Sequence, residues 1–202
     1  MSTILVLCTT QNNNPTNPNS YDLLTDTTGH LGDSCEVDTV ASASELQWSK
    51  TRGGSAIEWV TLPIVDPVTI TTQIVLGFTA KESNGQANCK FRAKFWRRPS
   101  GNTDNSNDVL MGSADDTSEL TTSITIRNVT ITLSPSNIDF YSGDQLVCTL
   151  YIYNSTGDMG GGRYCTLNCN DNSGNYQTKF VVPQTNFANN VASGSFTLKP
   201  PR

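Results

Sequence analysis

The sequence predicts an all-β fold, a jelly-roll-type antiparallel sandwich with an extended N-terminal arm, on three observations. Apolar and polar residues alternate with a period of two in about eight short runs. Clusters of Gly, Asn, Asp, Ser and Pro separate these runs, and no stretch sustains the 3.6-residue period of a helix. Finally, 27 Thr, 20 Asn and 20 Ser together make up about a third of the 202 residues, a composition poor in helix formers.

The apolar run Ile4-Leu5-Val6-Leu7-Cys8 reads as a strand. It lacks the cationic flank of a signal segment and the length of a membrane span, so the chain is expected to fold in the cytosol. Residues 10–34 are rich in Asn, Thr, Asp and Pro and show no period, which predicts an arm or linker. From Val37 to Trp59 the pattern stays weak, but Leu46, Trp48 and Trp59 are costly to leave in water and are expected to anchor this segment on the main domain or a neighbour. The division expected is therefore 1–51 as strand, arm and linker, and 52–202 as sandwich.

Val68–Thr79 places Ile70, Ile74, Leu76 and Phe78 on one face, with Thr69, Thr71, Gln73 and Thr79 on the other. Asn88–Arg98 sets Cys89, Phe91, Ala93 and Phe95 inward and Lys90, Arg92, Lys94 and Trp96 outward. A short strand follows at Val109–Met111. In Ser123–Ser134 the apolar parity switches near Asn128, which predicts a bulge or bend. Gln145–Tyr153 turns Leu146, Cys148, Leu150 and Ile152 inward, with Val147, Thr149, Tyr151 and Tyr153 outward; Arg163–Cys169 turns Cys165, Leu167 and Cys169 inward. Gln177–Val182 and Ser195–Leu198 close the series. The glycines in Gly157–Arg163 predict a turn; no helix pattern follows that would make it a phosphate loop.

With 13 Lys and Arg against 18 Asp and Glu, the net charge is −5 and the pI about 4.7. Nucleic acid and anionic membranes both require a basic excess, so the expected partner is protein or sugar. The six cysteines fall mostly within apolar strand patterns and are expected as free, buried thiols. Cys165 and Cys169, four residues apart on one strand, lie roughly 13 Å apart and cannot bridge.

No catalytic residues and no cofactor are expected. The single histidine, His30, lies in the polar arm, and a Ser-His-Asp or Cys-His arrangement would have to use it. No cysteine spacing suits a zinc knuckle, so no metal site is assigned. Asp104, Asp108, Asp115, Asp116 and Glu119 crowd one region, which is expected to be a solvated acidic loop rather than a calcium site. Lys90, Arg92, Lys94, Arg97 and Arg98 form a basic row beside Trp96, either a solubilising strand face or a surface for docking an acidic protein. Trp59, Trp96, Tyr151 and Tyr153 are expected at rims and interfaces, with a sugar-stacking platform as the alternative.

Arg52-Gly53-Gly54-Ser55, the stretch Lys81–Cys89 leading into Phe91-Arg92-Ala93-Lys94-Phe95-Trp96, Ser142–Val147, and the Gly157–Arg163 turn followed by Tyr164-Cys165-Thr166-Leu167 resemble a family of tailed-phage virion proteins. The similarity covers roughly residues 52 to 182, and its motifs are those of strands and turns. It implies a jelly-roll sandwich on the exterior of the phage particle, assembled in the host cytoplasm, with no catalytic residues. The function this implies is decoration and stabilisation of the capsid as a cement protein. Its partners would be the major capsid protein and copies of itself, in a homotrimer. Contacts would come from Ile4, Leu5, Val6 and Leu7, whose strand would pair with a neighbour or the shell, and from Lys90, Arg92, Lys94 and Trp96. The alternative is a tail- or head-fibre module that binds host-surface glycan or receptor through Trp59, Tyr151 and Tyr153.

Overall fold

A computed structural model of the chain describes residues 3–11, 20–24, 33–38, 45–49, 55–154, 162–170 and 178–182. Twelve strands form within them: β1 Thr3–Gln11, β2 Ser20–Leu24, β3 Asp33–Asp38, β4 Glu45–Gln47, β5 Glu58–Val60, β6 Val68–Glu82, β7 Cys89–Arg98, β8 Val109–Asp116, β9 Thr125–Phe140, β10 Gln145–Asn154, β11 Tyr164–Asn170 and β12 Lys179–Val182. A single 3-10 turn, Asn105–Asn107, interrupts them. The expected all-β sandwich is thus formed, with more strands than the eight read from alternation.

Hydrogen bonding runs through the order β3-β11-β6-β12-β1-β2-β5-β10-β7-β8, with β4 also on β10 and β9 also on β6. One layer is built on β6 with β9, β11 and β12; the other is built on β7 and β10 with β8, β4 and β5. β1 and β2 carry the sheet from one layer to the other. Every pairing is antiparallel except β2 with β5, which is parallel from Ser20↔Glu58 to Asp22↔Val60.

The core lies where the inward parities meet. Ile70, Ile74, Leu76 and Phe78 of β6, Cys89, Phe91, Ala93 and Phe95 of β7, and Leu146, Cys148, Leu150 and Ile152 of β10 are all buried, as their alternation predicts. Across the layers Phe78 stacks on Phe91 with centroids 3.9 Å apart, and Phe95 meets Phe180 edge-on at 4.3 Å. Each such ring contributes about 1.5–3 kcal/mol of burial and further through its ring geometry.

Several readings are corrected. The segment 10–34, read as an arm or linker that orders only against something else, contains β2, paired with β1 and β5, and the start of β3, paired with β11. The boundary at residue 51 is no break in hydrogen bonding: β1 pairs with β12 from Thr3↔Val182 to Val6↔Lys179, and with β2 from Val6↔Leu24 onward. Trp48 and Trp59 are anchors, fully buried, whereas Leu46 is exposed. No bulge occurs at Asn128. The β6–β9 register runs unbroken from Gln73↔Thr132 to Ala80↔Thr125, its shift lies between Thr71 and Gln73, and Ile126 simply faces solvent. Thr79 and Val147 were expected outward but are buried. Thr79 lies under Thr178, whose Oγ1 accepts its backbone N–H, and Val147 lies between paired β5 and β7. His30, most of the 157–163 turn and the 195–198 strand lie outside the described residues.

The corner between β9 and β10 shows why its sequence is Tyr141-Ser142-Gly143-Asp144. Gly143 adopts φ +89°, and an added Cβ would lie 2.3 Å from Ser100 Oγ. Asp144 accepts hydrogen bonds from the Ser100 and Tyr141 amides, and the Gly143 amide donates to Ile64. Gly143→Ala is expected to cost about 1–2 kcal/mol in urea-unfolding equilibria from the positive φ, and more if Ser100 cannot turn aside.

Candidate functional site on the outer sheet face

The outward residues of β7 and its neighbours form a cross-strand lattice. The antiparallel register sets Arg92 opposite Tyr151 on one side and Asp115 on the other, while β4 brings Glu45 opposite Tyr153. Arg92 donates from Nε and Nη2 to the two Asp115 oxygens at 2.6 and 2.8 Å, and from Nη1 to Glu45 at 2.8 Å. The second Glu45 oxygen accepts from Lys94 Nζ. The cations lie diagonally over the tyrosine rings, Arg92 4.6 Å from the Tyr153 centroid and Lys94 4.4 Å from that of Tyr151. Trp96 Nε1 donates to Thr149 at 2.8 Å. A shallow hollow of about 330 Å³, lined by Arg92, Lys94, Ser113, Ala114 and Asp115, opens beside this lattice.

These contacts set the titration of the groups. The Arg92 hydrogen bonds hold the Asp115 carboxyl below its usual range against the pull of burial. Burial works to raise Glu45 as well, but hydrogen bonds from Lys94 and Arg92 outweigh it and keep that carboxyl low. Burial and then the Asp115 charge push the Tyr153 phenol up. Near neutral pH the lattice is thus a fixed set of compensated charges.

This changes the reading of the basic row. Arg92 and Lys94 are neutralised by Glu45 and Asp115, and Arg97 lies over the Tyr141 ring, donates to the Asp139 carbonyl and sits 3.8 Å from Asp144. Arg98 is not on the surface. It keeps the outward parity, since the β7–β10 ladder runs unbroken from Cys89 to Arg98 and the residue skipped at the β7–β8 shift belongs to β8, yet it is buried, as are Glu58 and Val147. The Arg98 guanidinium is held bidentate on one side by Glu58, both bonds at 2.9 Å, and on the other by Asp108 at 2.9 and 2.8 Å. Burial pushes the Asp108 carboxyl up, opposed by the Arg98 hydrogen bonds. Lys90, half-buried, stands opposite Tyr153.

The aromatic platform is not assembled either: Trp59 is buried, and the Tyr151 and Tyr153 rings each carry a cation on one face. The acidic cluster is dispersed, since Asp108, Asp115 and Asp116 each pair with a different arginine and Asp104 caps the 3-10 turn. Among the described residues no group of three His, Cys, Asp or Glu side chains is placed to hold a metal ion. No helix among them is long and apolar enough to cross a membrane. Ile4, Leu5, Val6 and Leu7 lie in β1, whose backbone pairs within its own chain rather than awaiting a neighbour.

Sequence reasoning missed Glu45, which sits in a three-residue strand with no legible pattern, and Glu82. The Glu82 side chain is 98% buried, and its Oε2 has no hydrogen-bond partner. Burial raises its carboxyl from 4.5 to about 7, against a hydrogen bond from the Cys89 amide. A group whose folded value is raised contributes its full stability below pH 4.5 and loses it as pH rises through about 7. Glu82→Gln is therefore expected to gain on the order of 2 kcal/mol over the parent at pH 8 relative to pH 5, read by urea midpoints; parallel pH profiles for the two proteins would refute this.

No family model matches the chain, and no curated protein does. Among solved structures, the fold is similar to part of a CocE/NonD family hydrolase from Staphylococcus aureus, at TM-score 0.54 and 9% identity over 91% of this chain. It is similar to part of an alpha-amino acid ester hydrolase at TM-score 0.54 and 12% identity over 90% of this chain. This chain spans 36% of the length of each of those proteins, and at such identities the likeness is one of fold.

Proposed function

We propose that this protein is a non-enzymatic phage structural module that decorates the outer surface of the capsid and stabilises it through non-covalent contacts with the major capsid protein and with copies of itself. The reading rests on the motif resemblance and on one observation in particular, the position of β1. The first strand of the chain is hydrogen-bonded along both edges and is the join between the two layers. The same ladder is satisfied when β1 comes from a neighbouring copy, so strand exchange ties subunits together without new contacts. Repeated over a symmetric shell, such ties sum to a large avidity. The compensated outer lattice suits this role as a rigid, weakly charged face.

The test is the copy number of the chain relative to the major shell subunit, by quantitative mass spectrometry of purified particles. Near-stoichiometric amounts support decoration, and absence from particles overturns the virion reading.

A second reading, a fibre module binding host glycan, is favoured by the hollow beside Arg92, where cationic donors and the acceptor oxygens of Ser113 and Asp115 meet. A low copy number together with saturable binding of host polysaccharide by the folded protein would select it over decoration.

A further inference from the structure

Cys89 opens β7 in one layer, and Cys165 stands near the start of β11 in the other. Both are buried free thiols, and their sulfurs approach to 3.0 Å across the interior, closer than two unbonded sulfurs ordinarily sit. The backbone brings them there from three directions. Cys165 pairs with Glu82 of β6, the Glu82 carboxylate accepts the Cys89 amide, and the Cys89 carbonyl accepts the amide of Leu120. Cys148, by contrast, is buried in β10 as a free thiol whose only resolved influence is burial.

We propose that Cys89 and Cys165 are a dithiol–disulfide redox site that closes a covalent staple between the two layers when the protein leaves a reducing environment. The oxidant is a low-molecular-weight disulfide of the glutathione class. The thiolate of one cysteine attacks a sulfur of that disulfide, and the S–S bond breaks with departure of one small thiolate. The second cysteine, as thiolate, then attacks the protein sulfur of the mixed disulfide and expels the other small thiolate. The two protein thiols lose two electrons, the small disulfide gains them, and the two cysteine protons end on the two departing thiols.

Entry to the buried pair has a structural route. β11 is laddered to β6 over the short stretch Cys165–Leu167, with Tyr164 also bonded to Ser83 and Arg163 to Gln86, and beyond it lies β3, so this flank can open without unfolding of the β7–β10 core. In the closed state Cys165 is unreactive: the Cys89 sulfur beside it and then burial hold it as the neutral thiol. Oxidation therefore proceeds slowly, through opening or during folding. The bridge joins residues 76 apart, so it removes much of the freedom of the unfolded chain.

The experiment uses the full chain, incubated either with oxidised glutathione or with a reductant, then trapped with N-ethylmaleimide in denaturant and digested without reduction. The expected result after oxidation is a linked peptide pair containing Cys89 and Cys165, lighter by two hydrogens than the sum of the two thiol peptides. A rise in Tm on the order of 10 °C over the reduced protein accompanies it. Cys148→Ser is expected to keep both changes and Cys89→Ser to lose both; if Cys89→Ser does not fold, the oxidised and reduced parent proteins decide alone. Recovery of Cys89 and Cys165 as fully alkylated thiols after oxidation overturns the proposal, as does linkage of either one to a different cysteine.

Discussion

A chain lacking residues 1–9 is expected to lose the cooperative thermal melt of the full protein and to regain it when a peptide of residues 1–11 is supplied in trans. The reason is topological. β1 is the only described strand that pairs with both β12 and β2, and its ladders with them are the path by which one layer's hydrogen bonding reaches the other. Its removal leaves the edges of β12 and β2 without partners, and unpaired strand edges are both unstable and adhesive. Rescue by the peptide is the outcome expected of a strand that copies can exchange, and its Kd would measure the strength of the tie. Circular dichroism melts of the truncated chain with and without peptide decide the matter. A truncated protein that melts as the parent does would show that β1 is dispensable to the sandwich and would remove the observation on which the decoration reading leans. A purely appended arm predicts that second outcome, so the two pictures are separable in one experiment.

Arg98→Met is expected to destabilise the protein by about 3–5 kcal/mol near neutral pH, because it strips the cation from between two buried carboxylates. Arg98 is 1% exposed and makes two hydrogen bonds to each of Glu58 and Asp108. Without it, burial of the Asp108 carboxylate is uncompensated. Burial already pushes Asp108 upward in the parent, and in the variant nothing opposes that. The sign of the pH effect follows. Folded-state values raised above the unfolded ones give stability that is present at low pH and lost as pH rises, so the variant should be least impaired in mild acid and worst above neutrality. Urea unfolding at pH 5 and pH 8 reads this directly. Glu58→Gln and Asp108→Asn added to Arg98→Met should recover a large part of the loss by removing the stranded charges. A pH-independent loss under 1 kcal/mol would show that the triad is hydrated and carries little of the fold.

The strands that could be read from sequence are those whose neighbours impose one buried and one wet face. β6, β7 and β10 show this: Ile70 to Phe78, Cys89 to Phe95 and Leu146 to Ile152 fell inward as alternation dictates. Alternation failed as a guide to burial where the outward face of the sheet is itself covered. Val147 and Arg98 keep the outward parity of the unbroken β7–β10 ladder, and Glu58, beside Trp59 in β5, shares it, yet all three are buried. The short strands β2 to β5 carry too few residues to show a period, and they exist because distant segments pair with them. Charge was legible only in part for the same reason. The basic row on β7 is plain in the sequence, whereas its neutralising partners come from β4 and β8, Glu45 being 47 residues from Arg92 and Asp115 being 23.

The backbone of β9 at Thr132 is laid directly on β8 at Gly112, where an added Cβ would come within 2.6 Å of the Thr132 carbonyl oxygen. Among the described residues no ladder joins the two strands, and β9, sixteen residues long, is laddered with β6 alone. Left open, a flank of that length would be a template on which further chains could polymerise. The bare glycine lets β8 close over it, so at high concentration copies of this chain do not seed edge-to-edge fibres on this side, and association stays limited to surfaces that terminate.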